Sequence, residues 1–327
     1  MIRPVLKAVV LLLIGLGAKA APEQNTPTLV TERWHSDFEV LQQQTDRLRY
    51  AGTLRLHPPS GLDTHRGAWS ALVYLGPHLG FQATSDRNGH WFTFDVKVKE
   101  GELIGAHYLD HGQILGPDGK GLENIESMLV AGELILVGLD ESPVLYQLDR
   151  HRTRARPRFT LASFSPGRND GIESLAFIEP AGPLLPIAEK ARPDSGSPSA
   201  RQAWRLTPGS DAIPFSLPLA MDLSPVGSTR LPNGDLILLH RHYASGIITI
   251  GLSRYDGQEL QSDSPIVPQS LLQMRSLMLT QSLDNFEGLA AFEREGRQYL
   301  LLISDDNVDW QRPGRQNTLL MLFEWLN

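Results

Sequence analysis

The sequence predicts an all-β protein, a β-propeller of five four-stranded blades. A short sequence motif, called the repeated phrase below, consists of a polar residue beside a small residue and then an apolar one. It occurs five times, and each copy begins a predicted strand. Four of the five copies are followed by a turn and a second apolar strand. Units repeated at intervals of tens of residues predict a propeller or a solenoid, because one unit cannot bury its own apolar face.

The polar residue of the phrase recurs at spacings of 66, 47, 49 and 65 residues, which fits five blades. Six blades remain compatible with this count if one long spacing hides a degenerate unit. A β-sandwich is the alternative, but it would not explain the recurring acid. The five polar residues are Ser60, Glu126, Glu173, Asp222 (in the loosest copy of the phrase) and Glu287.

The last unit lacks one strand. From Glu287 to the C-terminus only three strands are predicted, and the missing fourth is available near the N-terminus in residues 51–56. Pairing of the N- and C-terminal strands would close the ring and remove the exposed sheet edges that invite aggregation. We therefore assign residues 48–327 to the propeller domain.

Residues 1–20 are typical of a secretory signal peptide. Arg3 and Lys7 precede a short apolar run, and Ala18 and Ala20 form a small-x-small cleavage site. The run is too short to span a bilayer as a helix, although an uncleaved N-terminal anchor is the alternative. We expect a periplasmic or secreted protein with no membrane span after cleavage.

The remaining N-terminal segment, residues 21–47, is predicted to be a flexible lead-in. Its last part, residues 37–48, would be a short helix or an irregular segment. The only other stretch with any helical periodicity is residues 270–278.

The composition limits the chemistry. The formal net charge is −7, and loss of Arg3, Lys7 and Lys19 with the signal peptide would make it about −10. This charge argues against nucleic-acid binding and suits a protein that binds cations. The chain has no cysteine, so any metal would be held by oxygen or imidazole. No serine-esterase motif occurs.

The recurring polar residues predict a metal site. Equivalent positions of propeller blades point at one axis, so Ser60, Glu126, Glu173, Asp222 and Glu287 would converge there. Carboxylates brought together repel one another unless their pKa values rise or a cation lies among them. Calcium takes six to eight oxygen ligands in flexible geometry and fits this set best. The alternative is that each acid caps a strand start or forms an Asx-type turn.

Candidate catalytic residues lie at strand ends. Asp86 ends a strand in the first unit much as Asp305 does in the last, and Arg87 could bind an anion. Asp305 begins an Asp-x-Asn-x-Asp sequence, but Trp310 and Gln316 replace the glycine and glutamate that an EF-hand requires. Ordinary turns and scattered surface charges are the alternatives. The candidate anion-binding residues are Arg87, Arg168, Lys190, His240, Arg241 and His242.

Several motifs together resemble the phytase-like domain family, also described as "esterase-like activity of phytase". The resemblance covers nearly all of the chain after residue 48. It implies an exported bacterial propeller with hydrolase activity, and the Ser/Glu set is also similar to the calcium site of calcium-activated nucleotidases. The chain departs from the family pattern at Ser127 and Ser174, where glycine is usual, and at 240–242, where an acid commonly ends the strand. The motifs are Asn-Phe-Glu-Gly-Leu at 285–289, Leu-Leu-Ile-Ser-Asp-Asp-Asn at 301–307, Ser-Gly-Leu at 60–62, Ser-Asp-Arg at 85–87 and Gly-Ile-Glu-Ser-Leu at 171–175.

These observations lead to one functional hypothesis and one rival. The hypothesis is an exported calcium-binding propeller that hydrolyses a phosphate ester, with Asp86 or Asp305 as the base and Arg87 binding a small anionic or phosphorylated substrate. The rival is a non-catalytic propeller that binds a ligand or a protein and uses calcium structurally. Either protein is expected to be a monomer.

Overall fold

The structure confirms the five-bladed propeller. It is a computed structural model and describes residues 29–34, 38–43, 46–57, 67–161, 163–168, 170–179, 182–191, 199–262, 264–277, 282–307 and 316–326. The predicted signal peptide, residues 1–20, lies outside the described residues, as does Ser60. Within the described residues, five antiparallel sheets form the blades.

Blades 1, 2 and 3 are each built from four consecutive strands, with the first strand innermost. Blade 1 contains β4 (Trp69–Gly76), β5 (Gly80–Ser85), β6 (His90–Lys99) and β7 (Glu102–Gln113). Blade 2 contains β8 (Ile125–Ala131), β9 (Leu134–Leu139), β10 (Val144–Leu148) and β11 (Ala155–Thr160). Blade 3 contains β12 (Ile172–Phe177), β13 (Leu184–Ala188), β14 (Ala200–Arg205) and β15 (Ile213–Pro218).

Blades 4 and 5 have five strands each, because the N-terminal segment adds one to both. Blade 4 contains β16 (Ser224–Arg230), β17 (Leu236–Ala244), β18 (Ile247–Tyr255), β19 (Gln269–Leu277) and β2 (Glu39–Gln43), with helix α1 (Gly257–Gln261) after β18. Blade 5 contains β20 (Asn285–Arg294), β21 (Arg297–Asp305), β22 (Thr318–Trp325), β3 (Leu48–His57) and β1 (Val30–Arg33).

Pairing of β3 with β22 closes the ring as predicted. The two strands run antiparallel, with Leu56 opposite Thr318 and Leu54 opposite Leu320. The N-terminal strand thus completes the blade that the C-terminal strands begin. This closure leaves no long unpaired edge at the junction of the termini.

Two local predictions do not hold. The lead-in was expected to be flexible, or helical near its end, yet it supplies β1 and β2, which pair with β3 and β19. The stretch at 270–278 was a candidate helix, but it forms β19. In both cases an exposed strand edge was available for pairing, and tertiary context overrides weak local periodicity.

The hydrophobic core consists of five clusters, one between each pair of neighbouring blades. The cluster between blades 5 and 1 is rich in aromatic rings: Phe81 stacks on Phe94 and meets Phe292 edge-on, with ring centroids 5.6 and 5.0 Å apart. Because every blade buries both faces against its neighbours, the inner strands are held in a fixed ring around the axis.

Two glycines directly after axial positions are explained by the close approach of neighbouring inner strands. A Cβ atom on Gly227 would lie 2.5 Å from the carbonyl oxygen of Glu287, and one on Gly288 would lie 2.7 Å from the Cβ of Leu72. Gly227 and Gly288 therefore let the next inner strand approach. None of the helices in the described part of the chain is long and apolar enough to cross a membrane.

Candidate functional site

A β-bulge in each inner strand defines one ring of side chains. The pairing register shifts around Glu126 in β8, Glu173 in β12 and Glu287 in β20, so each glutamate is the extra, unpaired residue of its strand. The same shift occurs around Ser70 in β4 and Val226 in β16. We call these five residues the axial ring.

A second ring is formed where the second strand of each blade ends. Each residue of this ring lies opposite the residue that stands two positions before the axial residue of the same blade. For example, the backbone amide of Asp86 donates to the carbonyl oxygen of Ala68 (3.0 Å), and that of Asp140 donates to the carbonyl oxygen of Asn124 (2.9 Å). We call this set the rim ring. Its members are Asp86, Asp140, Glu189, Arg241 and Asp305.

The three glutamates of the axial ring and all five members of the rim ring line one cavity of about 710 Å³ at the end of the channel where the inner strands begin. Only two arginines, Arg87 and Arg241, line it among the described residues. The cavity is therefore strongly acidic. Its seven carboxylates are those of Asp86, Glu126, Asp140, Glu173, Glu189, Glu287 and Asp305.

Arg241 neutralises one side of the cavity. Its Nη1 lies 2.6 Å from Oε1 of Glu287 and donates to Oδ1 of Asn285. The amide of Asn285 in turn donates to Glu287 (2.9 Å) and to Oδ2 of Asp305 (3.2 Å). Arg241, Asn285, Glu287 and Asp305 thus form one connected network at the junction of blades 4 and 5.

The side formed by blades 2 and 3 has no such partner. Glu173 is only 8% exposed, and neither it nor Glu126 forms a hydrogen bond or ion pair with any residue the structure describes. Burial raises the pKa of Glu173 well above its usual value, and the Glu126 and Glu189 carboxylates raise it further. Burial also raises the pKa of Glu126, followed by repulsion from Glu287 and Asp86.

The two predicted catalytic carboxylates also have raised pKa values. For Asp86, burial and then the charge of Glu287 raise the pKa to about 6. For Asp305, the same two causes raise the pKa well above its ordinary value. The pKa of Glu287 is raised by burial but is held down by Arg241 and by the hydrogen bond from Asn285. Of these carboxyl groups, Asp86 has a pKa close enough to neutral pH for proton exchange.

The structure brings together most of the predicted site residues. Three of the five predicted metal ligands line the cavity: Glu126, Glu173 and Glu287. All three predicted catalytic residues also line it: Asp86, Arg87 and Asp305. Arg87 is exposed at the mouth, where its backbone amide donates to Oγ of Ser85 (3.1 Å).

Asp222 does not take part. It is exposed, precedes β16 by two residues and does not line the cavity. The equivalent position in blade 4 is Val226, because the bulge falls there. Val226 is fully buried in the core between blades 4 and 5. In blade 1 the bulge falls at Ser70 rather than at Ser60, whose position the structure does not describe.

Sequence reasoning missed Asp140 and Glu189. Both follow a second strand directly, as Asp86 does, and Asp305 is the last residue of its second strand, so alignment of the second strands would have found them. Two candidate anion-binding residues are engaged elsewhere: His240 is fully buried and bonded to Ser253 (2.6 Å), and Lys190 donates to the carbonyl of Arg168 (2.7 Å).

The Asp305–Asp306 sequence is split between two tasks. Asp305 faces the cavity, whereas Asp306 accepts hydrogen bonds from the amide of Ala68 (2.9 Å) and the hydroxyl of Thr318 (2.6 Å). Asp306 therefore ties blade 1 to blade 5. The last acid of that sequence, Asp309, lies outside the described residues.

The donors of the cavity have the chemistry of a calcium site. They are carboxylate oxygens, the ligands that calcium prefers, and Glu173 is buried without a partner in the described part of the chain. No three His, Asp or Glu side chains of the described residues are close enough to hold one ion by themselves. A calcium ion bound here would need water among its ligands.

Comparison with solved structures gives distant similarities to other proteins. They include an exo-1,5-α-L-arabinanase from a bovine ruminal metagenomic library (9% identity, 80% of this chain and 94% of that one, TM-score 0.46). They also include the allergen Mala s 1 of Malassezia sympodialis (12%, 87% and 92%, TM-score 0.42) and the glutaminyl cyclase of Myxococcus xanthus (10%, 86% and 97%, TM-score 0.41). These similarities are too distant to indicate an activity.

No curated protein matches the chain. A family model does: the phytase-like model, described as "esterase-like activity of phytase", matches residues 64–308. The matched segment holds both rings of the cavity and spans about three quarters of the chain. The chain therefore belongs to the phytase-like family.

Proposed function

We propose that this protein is an exported hydrolase that binds calcium in the acidic cavity and cleaves a phosphate ester there. The observation that carries the proposal is the excess of carboxylates over arginines in a single cavity. Such a cavity repels an anionic ester unless a cation lowers its negative charge. Family membership supports ester hydrolysis as the reaction class.

Glu126 and Glu173 are the residues that would hold calcium, since neither has a partner among the described residues. Glu287 is a weaker ligand because Arg241 already pairs with it at 2.6 Å. Bound calcium would supply positive charge next to the phosphoryl oxygens and lower the pKa of an attacking water.

Asp86 is the proposed general base. Its pKa of about 6 leaves it mostly ionised at pH 7, yet close enough to that pH to accept a proton efficiently. Asp305, whose pKa is raised well above its ordinary value by burial and by Glu287, is the proposed proton donor to the leaving group. Arg87, exposed at the mouth, would attract the anionic substrate.

The test is a panel of phosphate esters assayed with 1 mM calcium and with EDTA. Hydrolysis is expected only with calcium, and Asp86→Asn should reduce kcat by about 10²- to 10⁴-fold, the usual contribution of a general base. Asp222→Asn is the matched control, because it removes an exposed carboxylate outside the cavity.

Calcium-dependent stabilisation without turnover of any ester would reject the hydrolase and favour the rival, a binding propeller with structural calcium. Export is tested separately by N-terminal sequencing of the protein recovered outside the cytoplasm. Cleavage after residue 20 is the expected result.

A further inference from the structure

Blade 4 forms a wall beside the cavity that the described residues of the other blades do not form. In blades 1 to 3 the second strand ends just before its rim residue, whereas β17 continues for three residues after Arg241. These three residues pair with β18, with His242 opposite Thr249 and Tyr243 opposite Ile248. The resulting β17–β18 hairpin places Tyr243 and Ile248 in the lining of the cavity.

One edge of the Arg241 guanidinium is available to a ligand. Its Nη1 carries both contacts, the ion pair with Glu287 and the hydrogen bond to Asn285. Nε and Nη2 donate no hydrogen bond to any described residue, and the side chain is 24% exposed in the cavity. The contacts at Nη1 fix the orientation of the group, so the free edge is preorganised for a fork-like hydrogen bond to an anion.

Tyr243 lines the same cavity as Arg241. It is two residues after Arg241 on the same strand, so both side chains project from the same face of the hairpin. Its side chain is 60% exposed and makes no ring contact or hydrogen bond with the described residues. An exposed aromatic ring beside an unused guanidinium edge suits a ligand in which an anionic group is attached to a ring.

We propose that Arg241 and Tyr243 bind the substrate at two points, the guanidinium edge holding its anionic group and the tyrosine ring packing against an attached ring. The preferred substrate class is then a phosphate monoester of a ring-bearing alcohol. This inference rests on the proposed function for the identity of the anion, but binding at the two residues does not require turnover.

The test uses two non-hydrolysable probes, methylphosphonate and phenylphosphonate, titrated in 1 mM calcium and followed by ³¹P NMR. Arg241→Lys keeps the charge beside Glu287 but loses the fork, so it should weaken both probes about tenfold. Tyr243→Ala should leave methylphosphonate unchanged and remove a preference for phenylphosphonate of about three- to tenfold. Arg150→Gln, in an exposed turn away from the cavity, is the control.

The outcomes separate this inference from the proposed function. The two-point site is overturned if Arg241→Lys binds both probes as tightly as the wild-type protein does. It is also overturned if Tyr243→Ala keeps the wild-type preference for phenylphosphonate over methylphosphonate. Either result counts even if esters are hydrolysed. Absence of binding to the wild-type protein overturns it as well. Binding that depends on Arg241 and Tyr243 supports the site even if no ester is turned over.

Discussion

Blades 2 and 3 differ from blade 4 in the residues at two equivalent strand positions, the bulge of the inner strand and the rim position of the second strand. Blades 2 and 3 supply Glu126 and Glu173 at the axial ring, and neither acid has a partner in the described structure. Blade 4 supplies Val226 at the axial ring and Arg241 at the rim ring. The backbone is similar, with an inner-strand bulge in each case.

This difference shows that the fold supplies positions while residue identity decides charge. On the side of blades 2 and 3, burial and then repulsion from neighbouring carboxylates raise the pKa values of the glutamates, so a cation or protons must compensate their charge. On the side of blade 4, Arg241 is a built-in cation for Glu287. The cavity is thus divided into a half suited to a metal ion and a half suited to an anion.

The largest expected effect comes from removing the built-in cation. Arg241→Gln leaves Glu287 buried without its ion-pair partner, which should cost about 3 kcal/mol of unfolding free energy in EDTA. The measurement is urea denaturation. The double variant Arg241→Gln/Glu287→Gln should recover most of the loss. If the single variant is as stable as wild type, the two halves of the cavity do not differ as described.

The second-largest effect is stabilisation by calcium on the side of the cavity formed by blades 2 and 3. Calcium at about 100 times its Kd should stabilise the protein by about 2.7 kcal/mol, a rise in Tm of roughly 4 to 5 °C for a domain of this size. Glu173→Gln should remove most of this rise, because the buried carboxylate is lost as a ligand. Asp222→Asn should keep it in full, and a loss of the rise in that control would return Asp222 to the site.

The calcium effect should also depend on pH. The folded-state pKa values of Glu126, Glu173 and Asp86 are raised, so the folded protein holds protons that the unfolded chain releases. In EDTA, stability should therefore fall as pH rises through these values, with the contribution of Asp86 lost between about pH 4 and pH 6. Calcium binds the ionised groups, so the calcium-induced rise in Tm should be larger at pH 7.5 than at pH 5. A rise independent of pH would contradict ionisable ligands.

The smallest effect is expected at the mouth. Arg87 is exposed, so its charge is screened by solvent and salt. Arg87→Gln should lower kcat/KM for a phosphate ester only about two- to threefold, and less at high salt. A loss of tenfold or more would show that Arg87, rather than Arg241, is the main anion-binding residue.

Much of the fold could be predicted because its signals are local or periodic. Alternating apolar strands, turn residues and the repeated phrase are all readable in the chain, and the missing blade strand left residues 51–56 as its partner, as β3 confirms. The strands β1 and β2 could not be predicted, because their short sequences become strands only beside the exposed edges of β3 and β19.

The site was predicted in part for the same reason. Glu126, Glu173 and Glu287, the acids in the well-matched copies of the repeated phrase, line the cavity. In blade 4 the loosest copy of the phrase pointed to Asp222, four residues before the bulge at Val226. A shift in register changes which side chain faces the axis, and register depends on the partner strand rather than on the strand itself.

The sequence by itself determined that the chain is built from repeated β-units, that its termini can complete one blade, and that acids recur at one place in most units. Only the tertiary structure decided which residues meet: Arg241 of blade 4 reaches Glu287 of the next blade, 46 residues later in the chain. Local patterns reflect the burial of one strand at a time, whereas the charge balance of the cavity depends on side chains from all five blades around a common axis.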